Sequence, residues 1–453
     1  MKLTKLMVLF ASCLCFSLFA NERKRSDAVV LTTKSFVKTP TSTNSIDTGI
    51  TIENGDVWLT GYRDAGISGS GPLAYSHLKP PYRVEFFVEK GLNITQITAG
   101  AYHQIALDDH GDVWAWGDNR AWQASAIKAG NLGAYQTIPT LVLEGKDVIM
   151  TNAGEYTSFA LTRSGEVYAW GTSAYGQMAN GSQAIVRTVL HRIPQSYFHD
   201  SPVVLIGAGY ESAWAINERG EVFAWGDDES NQYGFRHSIR GIPVHVYQTY
   251  PVQITNLPPG ISGGDIVTIT GGNRYTAFLT SEGEVWAMGA ANHLGIGFGY
   301  LGSEKKTPLM YEVDKNGNQY KVDNELDVAD PQFVMDNVNT LYCRYGGCCA
   351  ITNDGELYTW GVTVAANDRH NWQIMYGYMP IKRDIIGNLT KIDGGKENLI
   401  YWNDEGQAFG VGWNNWNKYY SSVNPVKWPG VEIKELPKAM KEVYGKDFVP
   451  GQG

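Results

Sequence analysis

Cysteine is scarce in this chain of 453 residues, which contains five, and two of these, Cys13 and Cys15, lie in an apolar stretch near the N-terminus. Small domains that cannot bury a sufficient core are held by several disulfides. The three remaining cysteines are too few, and too odd in number, for such a framework. We therefore expect a fold that is held by the packing of side chains.

Clustered basic charge is also lacking. Asp and Glu number 46 against 37 Lys and Arg, which gives a formal net charge of −9 at pH 7. The one dense basic run, Arg23-Lys24-Arg25, lies just after the N-terminal apolar stretch. Because phosphate groups are held mainly by clustered Lys and Arg, this balance disfavours nucleic acid and anionic membranes as partners.

Long apolar runs are missing after residue 20. Residues 1–20 place Lys2 and Lys5 ahead of an apolar run that ends at Ala20, which is the pattern of a secretory signal peptide. We expect a secreted or periplasmic protein with a leader over residues 21–39 and no stable membrane insertion. A lipoprotein anchored on Cys13 is the alternative, and Phe10 disfavours it because such signals usually carry Leu there.

Motifs of catalysis and metal binding are absent as well. The nine histidines are dispersed, and the sequence contains no HExxH helix, Cys-x-x-Cys pair, Gly-x-Ser-x-Gly elbow, phosphate loop or dinucleotide fingerprint. The sequence therefore predicts no catalytic residue, no metal site and no cofactor. His103 stands where other copies of the repeat described below have Thr157 and Ser212, so we expect it to make a hydrogen bond within the fold.

What the chain has instead is a phrase of seven residues that recurs seven times. Its copies begin about 51 to 72 residues apart: GDVWLTG from Gly55, GDVWAWG from Gly111, GEVYAWG from Gly165, GEVFAWG from Gly220, GEVWAMG from Gly283, GELYTWG from Gly355 and GQAFGVG from Gly406. Periods of this length are typical of propellers rather than of helical solenoids.

A second marker strengthens the repeat. Two small residues stand twelve and eleven positions before the phrase in five copies: Ala99-Gly100, Ala153-Gly154, Ala208-Gly209, Gly271-Gly272 and Gly394-Gly395. Between marker and phrase, residues 158–171 place two β-branched and aromatic runs around a glycine turn, which predicts a hairpin. Both faces of the second run are apolar, so both must be buried against other parts of the protein. A blade that packs between two neighbouring blades is buried on both faces in this way.

These features predict an all-β fold, a seven-bladed β-propeller of four-stranded blades over residues 40–436, followed by a tail at residues 437–453. The apolar segment at residues 431–436 aligns with the strand at residues 147–150 that leads into the marker of the third copy. We therefore expect residues 431–436 to open a blade whose other strands lie near residues 46–61. The ring would then be closed by the C-terminal strand in the first blade.

The two markers and the segment that follows them resemble the repeats of the regulator-of-chromosome-condensation (RCC1) family. In the third copy the strand ends in Trp170-Gly171 and Gln177 follows, and Gln123 and Gln232 take the same place in their copies. The resemblance implies a propeller whose face loops bind proteins. The eponymous member is a guanine-nucleotide exchange factor bound to chromatin, and relatives of the fold include secreted bacterial inhibitors of β-lactamase and exported bacterial effectors.

Acidic residues recur directly after the hairpin glycine, and they raise the question of carboxylate chemistry: Asp56, Asp112, Glu166, Glu221, Glu284 and Glu356. A catalytic pair should be unique to one place in a ring, whereas this residue recurs in six copies. We therefore expect these residues to serve the turn.

Three cysteines fall within the sixth copy. Cys343 replaces the first marker residue, and Cys348 and Cys349 follow it in the hairpin. Two alternatives are open: all three are buried small residues, or Cys343 and Cys348 form a disulfide across the marker turn while Cys349 stays free.

Two spacings exceed the others, about 63 and about 72 residues, and they predict extra loops around residues 235–259 and 300–333. Loops on a rigid scaffold often carry recognition, and Tyr and Arg are favoured at binding sites, although surface insertions are also tolerated freely. The candidate partner-binding residues are Arg240, His245, Tyr247, Tyr250, Lys305, Lys306, Tyr311 and Tyr320. Trp122, where a glycine usually precedes Gln123, and Trp413 and Trp416 are either exposed anchors or plugs between blades.

The leading hypothesis is an exported, monomeric, non-enzymatic module that recognises a protein partner through face loops. Two alternatives stay open. In one, the protein is a delivered effector that acts as a guanine-nucleotide exchange factor on a small GTPase. In the other, it binds or cleaves carbohydrate in the central channel.

Overall fold

The structure, a computed structural model, describes residues 48–61, 69, 81–125, 134–182, 186–229, 232–235, 238–239, 242–243, 247–272, 274–290, 311–313, 319–321, 327–344, 347–362, 376–394, 398–412 and 426–434. Within these residues the chain forms seven antiparallel blades in a ring, which confirms the predicted propeller. The first strands of successive blades contact one another, so they lie closest to the axis, and later strands lie progressively outward.

The described part of blade 1 has three strands, Thr48–Glu53, Asp56–Gly61 and Tyr82–Arg83. The other six blades have four strands each, given from the axis outward: Ile94–Ala99, His103–Asp108, Val113–Asp118 and Tyr135–Leu143 in blade 2; Val148–Ala153, Thr157–Thr162, Val167–Ser173 and Val186–Arg192 in blade 3; Val203–Ala208, Ser212–Asn217, Val222–Asp227 and Tyr247–Ile254 in blade 4; Ile266–Gly271, Tyr275–Thr280, Val285–Ala290 and Asp327–Met335 in blade 5; Val338–Arg344, Gly347–Thr352, Leu357–Val362 and Tyr376–Lys382 in blade 6; Leu389–Gly394, Asn398–Asn403, Ala408–Gly412 and Val426–Glu432 in blade 7.

Few described elements lie outside the blades. Two ribbons lie within the two long insertions: Ser238–Ile239 with Ile242–Pro243, and Tyr311–Val313 with Gln319–Lys321. Three short helices connect blades: the α-helix Glu85–Lys90 and the 3-10 helices Gln195–Phe198 and Gly263–Asp265. Among the described residues, no helix is long and apolar enough to cross a membrane.

The hairpin turn between the second and third strands is built the same way in successive blades. The glycine of the phrase has a positive φ, for example +84° at Gly165 and +72° at Gly220, which a residue with a side chain rarely adopts. The residue that ends the second strand closes the turn, since Thr162 Oγ1 accepts a hydrogen bond from the Glu166 N–H at 3.0 Å. This geometry explains why the glycine recurs.

The recurring acid after that glycine has a structural partner in its own blade. Glu166 accepts a hydrogen bond from the Tyr168 hydroxyl at 3.2 Å, and Glu284 accepts one from the Trp286 indole at 3.0 Å. The acid therefore fixes the aromatic side chain two positions later, as expected for a residue that serves the turn.

The tryptophan of the phrase joins neighbouring blades. The indole of Trp170 donates to the Gln123 carbonyl at 3.0 Å, and that of Trp225 donates to the Gln177 carbonyl at 2.7 Å. Both tryptophans are fully buried. The Gln segments after the second and third phrases are thus acceptors for the next blade, which explains why the two motifs occur together there.

The C-terminal strand lies in a different place from the one we expected. Val426–Glu432 is the outermost strand of blade 7, in which Val431 pairs with Gly410, so Val431 and Glu432 do not open blade 1. Ile433 is buried, and its N–H donates to the Ala408 carbonyl at 2.7 Å. Residues 431–433 therefore have the apolar pattern of an innermost strand, although they lie at the end of the outermost strand of blade 7. Residues 435–436 lie outside the described residues, and closure by the C-terminal segment stays a prediction.

Candidate functional site

The turns between the innermost and second strands lie close together around the axis at one end of the ring. The Ala101 N–H donates to the Glu155 carbonyl at 3.0 Å, and the Glu155 N–H donates to the Tyr210 carbonyl at 2.9 Å. A Cβ on Gly154 would lie 2.9 Å from the Gly209 carbonyl oxygen, so the marker glycine permits this close approach. The residues after each marker are therefore brought together.

The connections between third and outermost strands lie at the same end of the ring. Asp227, which ends the third strand of blade 4, pairs with Tyr247, which begins the outermost strand. Turns and connections of blades 2 to 5 together form a surface that we call the tyrosine–carboxylate face: Tyr102, Asp118, Arg120, Tyr135, Glu155, Tyr156, Tyr175, Tyr210, Glu211, Asp227, Glu229, Tyr247 and Arg274.

Aromatic rings and one cation form the part of this face on blades 2 and 3. The rings of Tyr102 and Tyr156 stack with their centroids 6.1 Å apart. The guanidinium of Arg120 lies 5.7 Å from the centroid of Tyr135 and is held by the buried carboxylate of Asp118, with both oxygens 3.0 Å from Nε. The result is an aromatic surface with a fixed positive charge.

Hydrogen bonds between tyrosine hydroxyls and carboxylates continue the face toward blade 4. The hydroxyl of Tyr210 donates to the Glu155 carboxylate. The hydroxyl of Tyr175 donates to Glu211, and the Tyr175 ring contacts Tyr247 edge to face with centroids 5.2 Å apart. These contacts hold the rings in fixed orientations at the surface.

Two carboxyl groups on this face titrate near neutral pH. Burial raises the pKa of Glu211 to about 7, and the nearby charges of Asp227 and Glu155 raise it further than the Tyr175 hydroxyl and Arg274 lower it. Burial also raises the pKa of Asp227 to about 6. Carboxyl groups with pKa values raised this far are more common at functional sites than elsewhere.

Trp122 has a left-handed backbone on the neighbouring connection of blade 2. Its φ is +64°, and Gly176, at the equivalent position of blade 3, has a φ of +89°. A bulky residue rarely adopts this conformation, and such outliers concentrate at functional sites. The Trp122 side chain is half-buried, so part of its ring lies at the surface. Trp413 and Trp416 lie outside the described residues.

The predicted partner-binding residues are divided among several places. Tyr247 and Tyr250 lie in the outermost strand of blade 4 rather than in a loop, and the Tyr250 side chain is exposed and contacts Tyr197 edge to face at 5.1 Å. Tyr311 and Tyr320 lie in the second ribbon. Four of the predicted residues lie outside the described ranges: Arg240, His245, Lys305 and Lys306. Of the predicted partner-binding residues that the structure describes, Tyr247 is the one that belongs to the tyrosine–carboxylate face.

Cys343 and Cys348 form a disulfide with their Cα atoms 4.0 Å apart. They are directly opposite each other on the first two strands of blade 6, so the bond spans the marker turn. Cys349 is free and buried, and burial raises its pKa to about 12, which keeps the thiol neutral and unreactive.

One group of described side chains has metal-ligand spacing, since Asp108, Asp109 and His110 place ligand atoms within 4.8 Å of one another. These residues belong to the hairpin turn of blade 2, at the opposite end of the ring. Asp108 Oδ1 accepts the N–H groups of His110 and Asp112 at 3.0 and 2.9 Å, and Oδ2 accepts the Trp114 indole at 2.9 Å. Because the turn uses both oxygens, we assign no metal here.

His103 joins two blades, since its Nε2 lies 2.8 Å from the Ser158 hydroxyl. It therefore makes the hydrogen bond that we expected of it. Most of the tyrosine–carboxylate face was not predicted from the sequence, although a signal was present. Tyr102, Tyr156, Glu211 and Arg274 each stand two positions after a marker, where the copies differ.

The fold and this arrangement of turns agree with a family assignment. The model of the RCC1-like domain matches residues 20–372. The chain belongs to the RCC1-like domain family.

Curated relatives are identical to this RCC1-like chain at about a quarter of the aligned positions. It is 28% identical over 223 residues to the mitochondrial RCC1 domain-containing protein RUG3 of Arabidopsis thaliana. The aligned segment covers 48% of this chain and 46% of that protein. It is 24% identical over 270 residues to Protein pim1 of Schizosaccharomyces pombe, and this aligned segment covers 60% of this chain and 47% of that protein. The chain thus spans about half the length of these relatives.

Solved structures show the same fold. Yeast RCC1 (Prp20), solved bound to Kap60, has a TM-score of 0.63 at 18% identity and covers 88% of this chain and 86% of its own. Human WBSCR16 has a TM-score of 0.59 at 16% identity and covers 85% and 93%.

Proposed function

We propose that this RCC1-like propeller is a non-enzymatic module that binds a protein partner through the tyrosine–carboxylate face. The observation that carries the proposal is the set of six half-buried tyrosines at one end of the ring: Tyr102, Tyr135, Tyr156, Tyr175, Tyr210 and Tyr247. Tyrosine supplies a large, rigid contact area at low conformational-entropy cost and is enriched at binding hot spots. Packed blades hold these rings before a partner arrives.

The two long insertions leave the ring at the same end. Each connects the third and outermost strands of its blade, from Asp227 to Tyr247 in blade 4 and from Ala290 to Asp327 in blade 5. The predicted loop residues within them are therefore retained in the proposal as additional partner contacts. Recognition would combine a rigid aromatic surface with loops that differ from copy to copy.

The solved relatives support protein binding as the class of function. Yeast RCC1 (Prp20) was solved bound to Kap60, and a second Prp20p structure was described together with its binding to Gsp1p and histones. The alternatives, nucleotide exchange and chemistry in the central channel, stay predictions. Exchange would be detected as accelerated release of labelled nucleotide from a small GTPase.

We also propose that the protein acts after export, with residues 1–20 removed. The Cys343–Cys348 disulfide supports this, because such bonds persist in oxidising compartments and are rare in the cytosol. N-terminal sequencing of the protein from its natural source tests the proposal, and we expect a mature chain that begins at Asn21. A mature chain that retains residues 1–20 would contradict it.

Binding is tested by using the mature chain, residues 21–453, as bait for proteins of the natural source and by comparing two tyrosine variants of blade 3. Tyr156 lies on the tyrosine–carboxylate face, and Tyr168, which is also half-buried, lies near the opposite end. We expect the wild type and Tyr168→Ala to capture the same protein and Tyr156→Ala to lose it while its thermal unfolding is unchanged. Equal capture by both variants would assign binding to another surface.

A further inference from the structure

The Cys343–Cys348 disulfide is covered by the neighbouring blade. Each of the two cysteines is 4% exposed, and both belong to a core cluster that they share with side chains of blade 5. Tyr275, in the second strand of blade 5, is fully buried. Its hydroxyl donates to the Gly347 carbonyl at 3.1 Å and lies 3.6 Å from Cys348 Sγ. Blade 5 therefore separates the disulfide from solvent.

The strand that carries Cys343 is also held to blade 5. Thr270 Oγ1, on the innermost strand of blade 5, donates to the Cys343 carbonyl at 3.3 Å. Val338 and Leu341, on the same strand as Cys343, are buried in the same core cluster. A thiolate has to approach a disulfide sulfur directly in order to exchange with it. Exchange at this bond therefore requires blade 6 to separate from blade 5.

The hairpin of blade 6 decides which two of the three cysteines pair. Cys343 and Cys348 are directly opposite each other in the ladder of the first two strands. Cys349 follows Cys348, and because successive side chains of a strand point to opposite faces, it packs with blade 7 instead. A bond from Cys343 to Cys349 would need the ladder to slip by one residue. The native bond therefore forms in a hairpin that already has its native register.

This hairpin can form before the rest of the ring because its determinants are local. The two cysteines are five positions apart in the sequence, so the bond closes a short loop at a small cost in entropy. Five copies of the repeat have two small marker residues where this copy has Cys343 and Arg344. The disulfide thus fixes the register in the copy whose marker differs from the others.

We infer that a disulfide oxidant makes the Cys343–Cys348 bond before blade 6 packs against blade 5, and that the folded protein then retains the bond in the presence of thiol reductants. The inference extends the proposed export, because it requires the chain to meet the oxidant before it folds. It does not depend on the partner protein or on the tyrosine–carboxylate face.

The reaction is an exchange with a small disulfide such as oxidised glutathione. One cysteine thiolate attacks the small disulfide, forms a mixed disulfide and releases one small thiol. The other cysteine thiolate then attacks the protein sulfur of the mixed disulfide, which forms the protein bond and releases the second small thiol. Two electrons pass from the protein sulfurs to the small disulfide, and the two cysteine protons end on the released thiols.

Reduction of the folded protein tests whether the bond is retained. The mature chain, residues 21–453, is incubated with dithiothreitol across a urea series, and free thiols are trapped with iodoacetamide and located by mass spectrometry. Because exchange waits for blade 6 to open, we expect Cys343 and Cys348 to be trapped at least about tenfold more slowly without urea than in urea that unfolds the chain. Equal rates in the two conditions would overturn the inference.

The order of oxidation and folding is tested by refolding the reduced mature chain. Oxidised glutathione is present from the start, or is added after the tryptophan fluorescence has become constant. We expect late addition to form the bond at least about tenfold more slowly than early addition, because the folded chain covers both thiols. A reduced chain that never reaches the native fluorescence would also place oxidation before folding. Equal rates of bond formation would contradict this order.

Two variants separate the bond from other effects of the oxidant. Cys349→Ala keeps both partners and removes the competing thiol, so it should match the wild type in both experiments. The double variant Cys343→Ala, Cys348→Ala has no bond to form, so oxidised glutathione should not change its refolding. A change as large as in the wild type would overturn the inference. N-terminal sequencing tests the removal of residues 1–20 separately, so failure here would leave that proposal standing.

Discussion

Lys391 of blade 7 crosses the seam of the ring and forms a buried ion pair with Glu53 of blade 1, with Nζ and Oε1 2.8 Å apart. The two side chains are 2% and 1% exposed. The same ammonium donates to the Ile52 carbonyl at 2.7 Å and lies 5.3 Å from the ring centroid of Trp402. Buried charges are tolerated when their hydrogen bonds are satisfied, and this one joins the last blade to the first.

Lys391→Met tests how much the seam depends on this pair. The variant leaves the Glu53 carboxylate buried without its cation, so we expect the free energy of unfolding to fall by about 3–5 kcal/mol. Lys382→Met is the matched control, because Lys382 pairs with Glu356 at the exposed surface. Chemical denaturation should show no measurable change for the control, and an equally small effect at Lys391 would contradict the seam's role.

Glu211→Gln changes how stability depends on pH. The pKa of Glu211 is about 7 in the folded chain against an ordinary value of 4.5, so between these values the folded state holds a proton that the unfolded state lacks. The free energy of unfolding therefore falls as pH rises through this window and is flat above it. We expect thermal unfolding of Glu211→Gln to depend less on pH and to occur at a higher temperature at about pH 8. Glu282→Gln is the control, because Glu282 is an exposed acid in the hairpin turn of blade 5, at the opposite end of the ring. An unchanged pH dependence of thermal unfolding in Glu211→Gln, or an equally reduced one in Glu282→Gln, would argue against this prediction.

The blades were predictable from the sequence because their determinants are local. The hairpin expected at residues 158–171 is formed by the strands Thr157–Thr162 and Val167–Ser173. Its turn needs a positive φ at Gly165 whatever the neighbouring blade does. The same is true of each copy, so seven phrases predicted seven blades.

Features that depend on the closed ring were harder to predict. Tyr102, Tyr156 and Glu211 are separated by about one repeat each, and only the packing of successive turns brings them together. Tyr247 was assigned to a loop because the fourth and fifth phrases are about 63 residues apart, which predicted an insertion around residues 235–259. The structure instead places Tyr247 in an outermost strand that contains Pro251. An outermost strand tolerates this proline at an irregularity, and the ladder of blade 4 shifts register there.

Gly154→Ala tests whether the marker glycine sets the spacing of the turns. An added Cβ would lie 2.4 Å from Thr157 Oγ1 and 2.9 Å from the Gly209 carbonyl oxygen of the next blade. Because backbone cannot yield as a flexible side chain does, we expect a loss of about 1–3 kcal/mol in the free energy of unfolding. Gly264→Ala is the control, since its nearest contact is Ser262 Oγ at 3.6 Å. Equal stability of the two variants would show that the turns can move apart.

The contribution of the Trp122 backbone to stability can be separated from that of its side chain. Trp122→Gly and Trp122→Ala both remove the ring, but only glycine adopts the φ of +64° without strain. We expect Trp122→Gly to be more stable than Trp122→Ala by about 1 kcal/mol in chemical denaturation. We also expect Trp122→Gly to unfold no more readily than the wild type while partner capture weakens, since relief of strain offsets the lost packing. A large loss of stability in Trp122→Gly would instead make the ring a plug between blades, and its half-buried position would then reflect packing rather than recognition.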